Sequence, residues 1–215
     1  MDLITLTDPR SPISEAYRSL RTNLAFYSLD DPIRTLVVTS PAPDEGKSTT
    51  IANLAVTMAQ SGRKTILVDC DLRRPSLHKI FDVSNDTGFT TMVLDTEAEP
   101  PLRETVVENL WLLSSGPKPP NPADLLGSQQ VDRVLSELAE RADIVLIDAP
   151  PVVGVTDAAV LGARVDGVLL VLSAGKTRRE HAERAKELLK RARVRLIGAA
   201  LTNAPADRSF KNYYE

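Results

Sequence analysis

Ala42-Pro43-Asp44-Glu45-Gly46-Lys47-Ser48-Thr49-Thr50 follows the apolar run Leu36-Val37-Val38 and leads into a stretch where Ile51, Leu54, Ala55, Met58 and Ala59 fall on one helical face. A strand, a Gly-Lys-Ser and a helix in that order make a phosphate-binding loop. Backbone N–H groups at the helix N-terminus receive the anion, Lys47 reaches the β/γ-phosphates, and the Ser48 hydroxyl is a ligand for Mg²⁺. Gly46 and Thr49 complete the cradle. The pattern departs from its general form at Pro41, where glycine is usual, and Asp44 and Glu45 place two carboxylates at the tip, where their charge is expected to repel phosphate.

The same alternation continues outward. Strands are expected at 35–40, 65–69, 110–114, 144–148, 168–173 and 195–201, and helices at 46–60, 131–141, 156–163 and 177–192. Alternating strands and helices give an α/β fold, a doubly wound, mainly parallel sheet with helices on both faces, and its ligands bind at the carboxyl ends of the strands. Residues 100–122 hold six prolines and read as loops around one short strand. A helix at 14–27 should pack through Ile13, Tyr17, Leu20 and Leu24 and offer Glu15, Arg18 and Arg21 outward. Residues 1–203 are expected to form one domain, and 204–215 a flexible tail ending Phe-Lys-Asn-Tyr213-Tyr214-Glu.

Composition narrows the class. The chain has 215 residues, 42% of them hydrophobic and 26% charged, enough for one large core. Its single cysteine, Cys70, rules out an intrachain disulfide framework and suits a reducing cytosol. No run approaches the length of a membrane span, and the N-terminus lacks a basic segment followed by an apolar one, so a cytoplasmic protein is expected. The net charge of −3 conceals a basic stretch at 176–195, with nine Lys/Arg against three Glu. Such a stretch is either a solvated helix face or a patch for an anionic partner.

Three carboxylates end apolar strands. Asp69 and Asp71 lie two apart, so on extended backbone both face the phosphate loop while Cys70 points away. Asp148 closes Ile144-Val145-Leu146-Ile147. Mg²⁺ prefers a few carboxylates and retained water, which suits Asp71 and Asp148, and leaves Asp69 as a candidate general base for an incoming hydroxyl. His78 and His181 lack partners at metal spacing and read as surface or packing residues, and Trp111 reads as core. Asn203, just past the last strand, is either a turn residue or a contact to a nucleotide base.

These segments together resemble the bacterial tyrosine kinases of capsule and exopolysaccharide export. The Gly-Lys-Ser-Thr loop, Val-Asp-Cys-Asp-Leu-Arg-Arg-Pro at 68–75 and Leu-Ile-Asp-Ala-Pro-Pro at 146–151 look like that family's Walker A, A′ and B motifs. Glu15-Ala-Tyr-Arg18-Ser-Leu-Arg21 is similar to its Glu-x-x-Arg-x-x-Arg helix, and Asn121-Pro-Ala-Asp-Leu-Leu126 to its Asn-Pro-x-Glu-Leu-Leu segment. The resemblance implies a P-loop NTPase-like fold and an ATP- and Mg²⁺-dependent tyrosine autokinase, with Asn203 at the adenine. It implies a ring-shaped homo-oligomer through Glu15, Arg18 and Arg21, and trans-phosphorylation of Tyr213 and Tyr214. A separate membrane adaptor would activate the kinase and bring it to the membrane periphery. Protein substrates in sugar-nucleotide metabolism are implied, and nucleic acid is not. Partition and division-site ATPases, which bind DNA or membrane, are the neighbouring alternative, and a nucleotide-gated scaffold is a third. The partition-type lysine four residues before Gly46 is here Ala42, and Asp44 replaces the kinase family's glycine.

Overall fold

The computed structural model describes residues 2–27, 31–95 and 99–205. Its core follows from side-chain alternation. Val37, Ile66, Val68, Val145 and Ile147 pack on one side of a sheet, and Leu36, Val38, Leu67 and Leu146 on the other, all essentially inaccessible. Strands buried on both faces read as continuous apolar runs, which is why they were legible.

The strands are β1 (Thr35–Thr39), β2 (Thr65–Asp69), β3 (Arg103–Glu104), β4 (Leu110–Leu113), β5 (Ile144–Asp148), β6 (Gly167–Ser173) and β7 (Leu196–Thr202), in the spatial order β3-β4-β2-β5-β1-β6-β7. All pairings are parallel except the two-residue β3 against β4. Register sets the chemistry: β2 and β5 pair Asp69 directly with Asp148 at their carboxyl ends.

One face is covered by α3 (Lys47–Gln60), through Ile51, Leu54 and Met58, and by α4 (Leu77–Phe81). Outside α3 lie α1 (Ile4–Thr7) and α2 (Pro12–Tyr27). The other face is covered by α5 (Phe89–Leu94), α6 (Pro122–Gly127), α7 (Gln129–Arg141), α8 (Asp157–Gly162) and α9 (Arg179–Arg191). Among the described residues no helix is long and apolar enough to cross a membrane.

Three expectations need correction. Helix α2 begins at Pro12, and Ile13 is 58% exposed rather than packed. Ser14 turns inward instead, donating to the carbonyls of Ile4 and Asp8. The inner stripe is therefore Ser14, Tyr17, Leu20 and Leu24, as expected but for its first member, and Arg21 reaches inward beside it: its guanidinium donates to the Thr57 carbonyl of α3 at 2.8 Å. Arg18 does face outward, paired with Glu15 at 2.8 Å. Finally, the proline-rich stretch contains the extra strand β3, and α1, α4, α5 and α6 were not foreseen.

Candidate active site

The loop after β1 is held by its own backbone. Asp44 (φ 59°) and Gly46 (φ 88°) adopt left-handed conformations that turn the chain into α3, and an Asp bears this better than most residues. A Cβ on Gly46 would meet only the Thr202 side chain, at an ordinary 3.5 Å, so glycine answers a backbone demand there.

Glu45 behaves unlike its sequence expectation. It is 2% exposed, and its carboxylate turns inward to accept the Ala42 N–H at 2.9 Å and the Thr177 hydroxyl at 2.6 Å. Its carbonyl accepts the Thr202 hydroxyl at 2.9 Å. The Glu45 charge is a brace inside the loop rather than a repulsion against phosphate. Asp44 remains at the exposed tip, and Lys176 donates to its carbonyl at 2.5 Å.

Below the loop the carboxylates converge. Lys47 Nζ lies 2.8 Å from Asp71 Oδ2 and 3.3 Å from Asp148 Oδ1, and Ser48 Oγ donates to Asp148 Oδ2 at 2.5 Å. Burial alone would lower the Lys47 pKa, but Asp148, Asp71 and Asp69 outweigh it and hold the ammonium above its usual value. Asp69 is fully buried: Oδ2 accepts the Ser76 and Leu77 N–H groups at 2.9 Å each, and Oδ1 accepts the Asp71 N–H at 3.2 Å. Burial, then the adjacent Asp148 charge, push its carboxyl up to about 7. Asp148 is raised as well, chiefly by burial. Cys70 points to the opposite core, where burial drives its thiol well up.

The resulting cleft is about 600 Å³, with Lys47, Ser48, Thr49 and Asp71 at its floor and Pro150, Pro151, Val153 and Val155 as an apolar wall. Asp71 opens onto it, whereas Asp69 lies behind. The two aspartates divide what a base needs: Asp71 has the access and Asp69 the elevated pKa. Arg73, Arg74 and His181 also line the cleft. Arg73 is fixed by two bonds, at 2.8 and 3.1 Å, to the inaccessible Asp157. His181 is exposed, as expected, and the first turn of α9 brings it to the cleft; a lone histidine in a basic helix gives no signal of that placement. Asn203 does not line this cleft. It takes a left-handed turn conformation (φ 54°) and donates to Ser173 Oγ at 2.9 Å. Tyr213 and Tyr214 lie outside the described residues.

The cleft fits a Mg²⁺–nucleotide. Left-handed Gly46 presents the α3 N-terminus, and Ser48 touches Asp148. Two buried carboxylates facing each other in register gain from a divalent cation nearby. A Gly-Lys-Ser loop with an Asp at the end of the adjoining parallel strand defines a P-loop NTPase. Residues 33–203 match the family described as ParA, NUBPL iron-transfer P-loop NTPase. The chain is 43% identical over 201 residues to the tyrosine-protein kinase YwqD of Bacillus subtilis, covering 93% of this chain and 85% of that protein. Among solved structures, the chimerical protein CapA2B2 superposes with a TM-score of 0.90 at 37% identity, covering 94% of this chain and 90% of that one. The kinase domain of Escherichia coli tyrosine kinase ETK gives 0.88 at 30% identity, covering 96% and 83%. The chain therefore belongs to the ParA-like P-loop NTPases and, within them, to the bacterial tyrosine-protein kinases. The partition-type alternative shares the fold, but YwqD and ETK, matched over more than nine-tenths of the chain, are named as tyrosine kinases.

Proposed function

We propose that this kinase transfers the γ-phosphoryl group of ATP to Tyr213 and Tyr214 of a neighbouring copy, within a homo-oligomer that uses the outward face of α2 carrying Glu15 and Arg18. The observation that carries the reading is the convergence of Lys47, Ser48, Asp71 and Asp148 at one end of the sheet, with Asp69 poised near neutrality behind them.

Phosphoryl transfer asks a protein mainly for positioning and charge stabilisation. The α3 N-terminus would hold the phosphates. Lys47, now paired with Asp71 and Asp148, would exchange those partners for phosphate oxygens. Ser48, Asp71 and Asp148 would hold Mg²⁺, which neutralises charge on the β/γ-phosphates when bound. The phenol ring would lie against the wall of Pro150, Pro151 and Val153, and its proton would pass through a water on the Asp71 side of the cleft to the buried Asp69; a base with a pKa near the working pH is the efficient choice. Added phosphates on the tail would repel one another and favour release of the neighbour. The family resemblance further supports a role in polysaccharide synthesis and export, and activation by a separate membrane adaptor that would bring the kinase to the membrane. Residues 1–203 would form the catalytic domain and 204–215 the acceptor tail.

The test is a mixing experiment. A Lys47→Met chain supplies intact tyrosines, and a Tyr213→Phe/Tyr214→Phe chain supplies activity, with ATP, Mg²⁺ and a candidate activator present. Tail-peptide mass mapping should find phosphate on the Lys47→Met chain. ATP consumed with no tail phosphate would overturn the acceptor assignment.

A further inference from the structure

The turn between β6 and α9 reaches across to the phosphate loop, and its construction is unusually closed. Ser173 N–H donates to Thr177 Oγ at 2.7 Å, the Lys176 and Thr177 N–H groups return to the Ser173 carbonyl at 3.1 and 2.8 Å, and Gly175 takes φ 73°. The Ala174 N–H donates to the Thr202 carbonyl at 2.8 Å, tying the turn to the edge strand β7. From this platform two side chains project onto adjacent loop residues: Thr177 onto the Glu45 carboxylate at 2.6 Å, and Lys176 onto the Asp44 carbonyl at 2.5 Å. Among the described residues Lys176 forms no ion pair, so its charge is not spent on another carboxylate.

Asp44 is the residue that needs an answer. It lines the cleft, stands where phosphate must enter, and carries a negative charge; Glu45 is already turned inward. An ammonium bonded to the Asp44 carbonyl sits within about one Debye length, ~8 Å at physiological salt, of the same residue's carboxylate. We propose that Lys176 is a positioning residue of the nucleotide site, a cation held by the β6–α9 turn to offset Asp44 at the mouth of the phosphate loop. Asp44 supplies the left-handed turn, and Lys176 offsets part of the charge that comes with it. This rests on the nucleotide-site reading above. It assigns a specific role to one member of the basic 176–195 stretch, whose other residues on α9 are largely exposed.

The experiment is a double-mutant cycle on the full chain, with Mg²⁺ and a fluorescent ATP analogue as probe, at low and high salt. Lys176→Gln should weaken binding about threefold, within the range of exposed charge–charge interactions. The same change in an Asp44→Gly background should weaken it less than about twofold, Lys176→Arg should restore affinity, and high salt should shrink the difference. Equal weakening in both backgrounds would reduce Lys176 to a pin on the Asp44 carbonyl and overturn the proposal, as would no weakening at all. Failure of the unaltered chain to bind the analogue would instead strike the nucleotide-site reading, and this inference with it.

Discussion

At the scale of single residues, Asp69 carries a signature separable from catalysis. Its carboxyl keeps its proton to about pH 7 in the folded chain, against an ordinary value of 3.8. Between those values the folded state binds the extra proton, so this group's contribution to stability falls as pH rises through the window and is flat above it. Asp69→Asn removes the titration and keeps an acceptor for the Ser76 and Leu77 N–H groups, leaving only the longer Asp71 N–H contact unserved. The melting temperature of the variant should exceed that of the parent by about 3 °C or more above pH 7 and converge with it near pH 4, at roughly 2–4 °C per kcal/mol for a chain of this size. Parallel melting curves across that range would remove the buried-acid account. The carboxylates were legible because each ends an apolar run. The fate of Glu45 was not, because its partner Thr177 lies 132 positions away.

Among the elements, α2 is the one whose reading the structure changes most. The apolar pattern placed Arg21 on the outer face, yet beside the packed Tyr17, Leu20 and Leu24 its long side chain reaches inward and donates to the Thr57 carbonyl. Sequence favoured Ile13 as the packing residue because hydrophobicity outranks a small serine. Ser14 wins because α1 offers it two carbonyls at close range. An Arg21 substitution thus perturbs the protomer as well as any interface. Arg21→Ala should lower the melting temperature by about 3 °C in dilute samples, consistent with losing a charged hydrogen bond worth about 1.5 kcal/mol. Arg18→Ala, at an exposed ion pair, should cost less than about 1 °C while weakening self-association. Calorimetry and light scattering on both variants check this, and matching thermal losses would argue against it. The helices α4, α5 and α6 stayed hidden for a different reason: at five or six residues each they are too short to show a period.

Across the whole molecule, the phosphate loop is braced by segments distant in sequence: the β6–α9 turn through Thr177 and Lys176, and the end of β7 through Thr202. Sheet order was beyond the sequence, since strands buried on both faces carry no mark of their neighbours, although parallel alternation and the site at the strand ends followed from the pattern. Binding of Mg²⁺ and nucleotide should therefore slow amide exchange at 173–177 and around Thr202 as well as in 42–50. Protection confined to 42–50 would mean that the braces do not respond to the ligand.

Cys70 stands between the two aspartates of β2's end with its side chain at 0% exposure and its thiol held far from ionisation. A thiolate-directed reagent has nothing to attack until the sheet opens. The rate at which the native chain takes up such a label is then a stopwatch for opening of the central strands, with no engineering required.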